Sequence, residues 1–161
     1  MTYTVSLRSF EDTYLGLEPL YRRHYGEMRE RMSALGVETS AYNPRLDEYV
    51  RASRGGYLLT FVLEADGDPV GYCNVYITND MHNRDLIARE DAIYVVPEHR
   101  HGAGRMLAGE VHKELKRRGV LRMDISTSTD LRVAKWLQRQ GYKHTAHCMT
   151  ITFKDKDHVR S

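Results

Sequence analysis

The sequence has few of the features that mark a disulfide-stapled, membrane-spanning or nucleic-acid-binding chain. Only Cys73 and Cys148 among its 161 residues are cysteines, too few for a disulfide framework, and we expect both thiols to be buried in strands. No apolar run approaches the ~18 residues of a membrane span, and the first ten residues lack a signal-peptide apolar region. The net charge of +2 is too small to indicate nucleic acid as the main partner. We therefore expect a cytoplasmic protein that has neither a membrane nor a nucleic acid as its partner.

Apolar periodicity divides the chain into an ordered series of strands and helices. Strands are predicted over 2–9, 57–64, 70–78, 86–96, 121–126 and 142–153. Helices are predicted over 10–35, with interruptions at Pro19 and Gly26, over 44–53, from the turn at 102–104 to Gly119, and over 130–140. This order predicts an α/β (α+β) fold, a mixed sheet with helices on both faces.

Residues 95–107 have the sequence of an anion-binding turn. An apolar strand stops at Pro97, Gly102 and Gly104 follow, and an amphipathic helix begins at once. The free N–H groups and the dipole at such a helix start attract negative charge, and Arg100 and Arg105 add two full positive charges. The stretch therefore predicts a phosphate or pyrophosphate site, although an ordinary tight turn would also use the two glycines.

The two histidines of this turn do not indicate a metal. His99 and His101 have no third ligand at a usable spacing, so we predict no metal site. We expect both side chains to flank the phosphate instead.

Two stretches resemble the GNAT superfamily of acyl-CoA-dependent N-acyltransferases. The strand and glycine turn look like its acetyl-CoA motif, in which V-x-P is followed by Arg or Gln and by G-x-G or G-x-A opening a helix. Residues 130–142 look like its second helix motif, roughly N-x-x-A-x-x-(F/L)-Y-E-K-x-G-(F/Y). Because the element order also matches over essentially the whole chain, the resemblance implies a single GNAT-like domain over residues 1–161, with a mostly antiparallel sheet.

The resemblance implies an N-acetyltransferase that moves an acetyl group from acetyl-CoA to a primary amine by direct attack in a ternary complex. Val95 and Val96 would pair with the pantetheine amides through their backbone, and N–H groups from about Arg100 to Arg105 would hold the pyrophosphate. It also allows a homodimer, which the long last strand would support. The cofactor-binding residues that it implies are Tyr94, Val95, Val96, Arg100, His101, Gly102, Ala103, Gly104, Arg105, Met106 and Asp130.

Two departures from the family pattern bear on this reading. His99 stands where the family has Arg or Gln, and Arg100 follows it, so the register of the turn is shifted. Leu137 stands where the family has the Tyr that often protonates the departing thiolate. Ser128, Thr129 or an ordered water are alternative acids. Leu137 favours the alternative function, a non-catalytic module that binds acyl-CoA or a partner.

The loss of an acid is easier to tolerate than the loss of a base. A thiol of pKa ~8.5 leaves readily as its thiolate, whereas an amine of pKa ~10.4 is almost entirely protonated near pH 7. Removing the amine proton is therefore the harder step, and a catalytic member of the family needs a base.

Arg89, Glu90 and Asp91 place three charges in the strand that leads to the turn. Such charges are unfavourable inside a sheet unless they are paired or used. Successive strand residues face opposite sides, so only one of the two carboxylates can face the cleft. Several family members carry a Glu a few residues before the acetyl-CoA stretch, and this offset implies Glu90 as the general base, with Asp91 as the alternative. An exposed rim with solvated charges is the competing reading.

Overall fold

The computed structural model of the protein describes residues 1–127 and 130–153. The strands of this part are β1 (Tyr3–Arg8), β2 (Leu58–Ala65), β3 (Asp68–Asn79), β4 (Leu86–Val95) and β5 (Arg122–Asp124). The helices are α1 (Phe10–Ala34), α2 (Leu46–Arg54), α3 (Ala103–Arg117) and α4 (Leu131–Arg139), with a short 3-10 helix at Pro97–His99.

The chain divides into two compact units. The first consists of residues 1–22 and 44–125 and contains the whole sheet, α2 and α3. The second consists of residues 23–43 and 126–161, and its described part contains the C-terminal half of α1 and all of α4. The single domain over residues 1–161 stays a prediction.

The five described strands form one sheet in chain order. Neighbouring strands from β1 to β4 are antiparallel, and β5 runs parallel to β4 after the crossover through α3. β2 and β3 form a hairpin, and both of its central residues, Asp66 and Gly67, have positive φ, which suits a tight two-residue turn between twisted strands. The prediction of a mixed, mostly antiparallel sheet is therefore correct.

Both faces of the sheet are buried in the first unit. On one face the ring of Tyr21 from α1 packs against Tyr72 of β3, with ring centroids 4.4 Å apart. On the other face Cys73 and Val75 are fully buried, and α3, whose Leu107 is also fully buried, contacts strands β1 to β4. The apolar stripe of α3 thus fixes the helix that follows the glycine turn against the strands that precede it.

The helix boundaries differ from the prediction in two places. α1 continues through both Pro19 and Gly26. Pro19 is exposed, and the carbonyl of Leu15 that loses its partner lies in a turn open to water, so the helix tolerates the ring. α2 begins at Leu46 rather than at Pro44, because the first helical carbonyl is that of Arg45, which accepts from the residues one turn later.

The predicted strand over 142–153 is wrong. These residues form no strand, and Met149, Ile151 and Phe153 are 88, 75 and 83% exposed. Alternation alone cannot make a strand without a partner ladder, and the described sheet ends at β5. Cys73 is buried as predicted, whereas Cys148 in this segment is exposed. Residues 142–153 therefore do not provide the strand that was expected to support a homodimer, and the homodimer stays a prediction.

No helix among the described residues has both the length and the apolar content needed to cross a bilayer.

We predict that Gly71→Ala weakens the sheet next to the site. A Cβ at Gly71 would lie 2.7 Å from the carbonyl oxygen of Tyr94 and 3.1 Å from Cγ2 of Val95, so β3 and β4 must separate. The expected loss is about 1–3 kcal/mol in the free energy of unfolding, measured by urea denaturation. The matched control is Gly26→Ala in α1, where a Cβ meets no atom within 4 Å and should stabilise by about 0.5–1 kcal/mol. Equal stability of the parent and Gly71→Ala would contradict the close approach.

Candidate active site

One edge of β4 is open beyond its pairing with β5. β5 pairs only with Ile87–Arg89, so within the described residues it does not cover β4 from Glu90 to Val95. The N–H of Val96 donates to the carbonyl of Val70 at 2.9 Å, which directs the backbone of Val96 towards β3. The backbone groups of Val95, one residue earlier, therefore point to the open edge. An extended ligand that carries amides can add to such an edge as a further strand.

Arg100 does not project from the turn but folds back onto this strand. Its Nε donates to the carbonyl oxygen of Val95 at 2.7 Å, and its guanidinium carbon lies 5.4 Å from the centroid of the Tyr94 ring. In this structure the Val95 carbonyl is therefore already bonded, whereas the resemblance assigned Val95 to the cofactor and Arg100 to the phosphate. Sequence spacing cannot show this, because it depends on how the 3-10 helix turns the chain back.

His99 is held by β1. A hydrogen bond of 2.9 Å joins its Nδ1 to the hydroxyl of Tyr3, and its N–H donates to the carbonyl of Val96. His101 is exposed in the following turn. The two histidines thus have different surroundings, and the side chain of His99 is fixed by its hydrogen bond to β1.

The start of α3 has the geometry of an anion site. Gly102 has φ of 97°, a left-handed conformation that favours glycine, and it caps α3 without a side-chain bond. Its carbonyl accepts from Met106, while the N–H groups of Ala103, Gly104 and Arg105 have no acceptor within the helix. The first turn of α3 contains no acidic residue. The predicted phosphate turn is therefore a real helix start, next to the end of β4.

The remaining predicted residues belong to the second unit or lie outside the described residues. Asp130 caps α4, and its Oδ1 accepts from the N–H groups of Arg132 and Val133. The capping bonds are a sufficient reason for an Asp at position 130, so the role of Asp130 in cofactor binding stays a prediction. Leu137 is 5% exposed. Ser128 and Thr129, the alternative acids, lie outside the described residues.

A β-bulge separates the two candidate bases. Val75 opposes Glu90 and Asn74 opposes Ala92, so Asp91 is the extra residue of β4. Glu90 shares the face of Val75, whereas Asp91 reaches α2 on the opposite face. Simple alternation predicted opposite faces, but it could not show that the bulge frees Asp91 from the ladder. Three consecutive charges in a strand were the only signal of it.

Asp91 accepts a hydrogen bond from the hydroxyl of Tyr49, with 2.8 Å to Oδ2. It keeps access to solvent, yet desolvation by the surrounding protein raises the pKa of its carboxyl, and the bond from Tyr49 acts in the opposite direction. Burial and the charge of Asp91 raise the pKa of Tyr76 to about 12, and the pKa of Tyr49 also rises for these two reasons. The phenols near Asp91 therefore stay protonated at neutral pH and can donate hydrogen bonds.

A buried chain of hydrogen bonds supports the same face. The hydroxyl of Thr60 donates to Oδ1 of Asn74 at 2.7 Å, and Nδ2 of Asn74 donates to the hydroxyl of Tyr21 at 3.0 Å. Thr60 and Asn74 are each 1% exposed. Their mutual satisfaction makes these polar groups tolerable in the core. The sequence gave no sign of the bond between Asn74 and Tyr21, which are 53 positions apart in the chain.

The described residues contain no group of three or more His, Cys, Asp or Glu placed to hold a metal ion.

An open strand edge that ends at a helix start is typical of proteins that bind an extended, phosphate-bearing co-substrate. The sequence profile of the acetyltransferase (GNAT) family matches residues 17–142. The chain therefore belongs to the GNAT acetyltransferase family, whose members use acetyl-CoA as co-substrate. The prediction of an acyltransferase is confirmed.

Solved structures share the fold at low sequence identity. An aminoglycoside acetyltransferase from an uncultured soil metagenomic sample is 17% identical, with a TM-score of 0.72 over 96% of this chain and 100% of that chain. A ribosomal-protein-alanine N-acetyltransferase from Brucella melitensis biovar Abortus 2308 is 15% identical, with a TM-score of 0.67 over 95% and 100%. A tetramutant of the BH1408 protein from Bacillus halodurans is 10% identical, with a TM-score of 0.78 over 93% and 99%. No curated protein matches the chain.

Proposed function

We propose that the protein transfers an acetyl group from acetyl-CoA to a primary amine by direct attack in a ternary complex. The observation that carries this proposal is the continuity of one strand. β4 presents a carboxylate at its bulge, an open backbone edge after it, and the helix start at Gly102 beyond its end. A thioester lying along that edge would place its acyl group near the bulge when its phosphates reach the helix.

The cofactor would lie along β4 and the turn. The N–H of Val95 points to the open edge and would polarise the thioester carbonyl or pair with a pantetheine amide. The N–H groups of Ala103, Gly104 and Arg105 would hold the pyrophosphate, with His101 and Met106 beside it. Tyr94 and Val96 would support the strand from within, since both are buried.

The general base is the carboxylate that removes the amine proton, and we propose Asp91 before Glu90. The amine nitrogen attacks the thioester carbonyl carbon, the C–S bond breaks, the proton goes to the carboxylate, and CoA leaves as its thiolate. Asp91 is supported because it lies off the ladder, contacts solvent and has a raised pKa that makes it a better proton acceptor. Glu90, implied by the family offset, is the alternative.

A second function, acyl-CoA binding without turnover, is favoured by one residue. Leu137 offers no proton to a departing thiolate. A chain that keeps the open edge and the anion turn but lacks the acid would bind acyl-CoA as a sensor or as part of a partner complex.

We expect CoA thiol release when the protein, acetyl-CoA and a suitable amine are mixed. Thiol is measured with a chromogenic disulfide over a panel with an aminoglycoside, a peptide with a free N-terminal alanine, a lysine peptide and a polyamine. Calorimetry with acetyl-CoA alone measures binding. Binding without release by any amine would favour the module, and absence of binding would overturn both functions.

A further inference from the structure

We propose that Tyr49 is a positioning residue, which holds the carboxylate of Asp91 in place at the bulge of β4 for the transfer reaction. This inference rests on the proposed function, because it gives Tyr49 a role only through Asp91. The main observation behind it is the hydrogen bond of 2.8 Å from the Tyr49 hydroxyl to Oδ2 of Asp91.

The ring of Tyr49 is fixed independently of that bond. It stacks on Phe10 with centroids 4.8 Å apart and an interplanar angle of 14°, and Phe10 is only 2% exposed. A ring held in this way has little rotational freedom left to lose. Its hydroxyl therefore donates from a nearly fixed point, which makes the bond a constraint on Asp91 rather than an accommodation to it.

The helices that carry Phe10 and Tyr49 are themselves tied together. The N–H of Phe10 donates to Oγ of Ser53 at 3.0 Å, and the guanidinium of Arg54 forms a two-point bond with the carboxylate of Glu11 at 2.9 and 2.8 Å. These bonds fix the start of α1 and the end of α2 to each other, so Phe10 and Tyr49 are held on a connected support.

Asp91 needs such a constraint because of its place in the strand. A bulged residue is outside the regular ladder, so the pairing of β3 and β4 does not fix its side chain. A general base must lie within hydrogen-bond reach of the proton it takes. Tyr49 occupies Oδ2 and leaves Oδ1 for the amine.

The hydrogen bond from Tyr49 also affects the pKa of Asp91, and the direction of this effect is known. Desolvation favours the neutral acid and raises the pKa of Asp91, whereas the Tyr49 hydroxyl stabilises the carboxylate and lowers that pKa. Removing the hydroxyl should raise the pKa further. Activity that requires the carboxylate should then be lost at a higher pH than in the parent.

The phenols and the thiol near Asp91 do not titrate in the same range as its carboxyl. The pKa values of Tyr21, Tyr49 and Tyr76 and of the Cys73 thiol are all raised by burial, so these groups stay neutral through the acid limb. The titratable groups that face or adjoin Asp91 are Tyr21 of α1, Tyr49 of α2, Cys73 and Tyr76 of β3, and Glu90 of β4.

The test is Tyr49→Phe, which keeps the ring stack and removes only the hydroxyl. We expect the acid limb of the kcat/KM profile to move up by about one pH unit, with the KM for acetyl-CoA unchanged. The control is Tyr3→Phe, which also loses one hydroxyl hydrogen bond, to His99, and should keep the limb in place. Melting temperatures of both variants report on the fold.

Two results would overturn the role of Tyr49. One is an unmoved limb in Tyr49→Phe, with or without a lower melting temperature, since a purely structural role predicts this. The other is an equal shift in both Phe variants. Asp91→Asn, measured in parallel, distinguishes a failure of the Tyr49 inference from a failure of the proposed function. If it abolishes the limb while Tyr49→Phe leaves it in place, only the Tyr49 inference fails. If it keeps full turnover, the base assignment of the proposed function fails as well.

Discussion

Asp91→Asn should lower kcat by about 10²–10⁴-fold at neutral pH and leave the affinity for acetyl-CoA unchanged. The amide has nearly the shape of the carboxylate and can still accept a bond from Tyr49, but it cannot take a proton from the amine. Steady-state thiol release with the best amine of the panel measures kcat, and calorimetry measures binding. The defect should shrink as the pH rises towards the amine pKa of ~10.4, because the neutral amine then forms without a base.

Glu90→Gln is the matched control for this prediction, since it makes the same chemical change one residue earlier in β4. Its side chain lies on the face of Val75, away from Tyr49, and we expect a decrease in kcat of less than about threefold, typical of a site outside the proton path. A large loss in Glu90→Gln with an active Asp91→Asn would reverse the assignment and restore the base implied by the family offset. Small effects in both variants would contradict a carboxylate base altogether.

The local parts of the fold could be predicted from the sequence. The end of β4 at Pro97, the turn at Gly102 and the start of the helix after it depend on neighbouring residues, and all three were predicted correctly. The turn at Asp66 and Gly67 is local in the same way, since its positive φ values suit these two residue types. Patterns of this kind are confirmed wherever one segment determines its own conformation.

The remaining features depend on contacts between segments that are distant in the sequence. The alternation over 142–153 predicted a strand, but strand formation requires a partner, and none pairs with these residues in the described sheet. The bulge at Asp91 and the return of Arg100 to the carbonyl of Val95 likewise depend on register and on the path of the turn. The candidate site was therefore predicted as a set of residues, while its bonding was not.

Gly104→Asp should separate cofactor binding from stability. The variant places a carboxylate in the first turn of α3, which has no acidic residue, so the helix dipole and the loss of a glycine should raise stability by about 0.5–1.5 kcal/mol. The same carboxylate would face the pyrophosphate. Two like charges ~4 Å apart near a protein surface repel by a few kcal/mol, so the affinity for acetyl-CoA should fall by about a hundredfold or more.

Gly109→Asp is the matched control, because it adds the same charge to the same helix. Gly109 is exposed, a Cβ there meets no atom within 4 Å, and it lies about 7.5 Å further along the axis. Its affinity for acetyl-CoA should change by less than about threefold, since water screens exposed charges. Should Gly104→Asp fail to fold, Arg105→Glu at the exposed next position tests the same repulsion. Normal affinity in a folded Gly104→Asp and in Arg105→Glu would place the pyrophosphate away from this helix start, and β4 would then have to hold the cofactor without it.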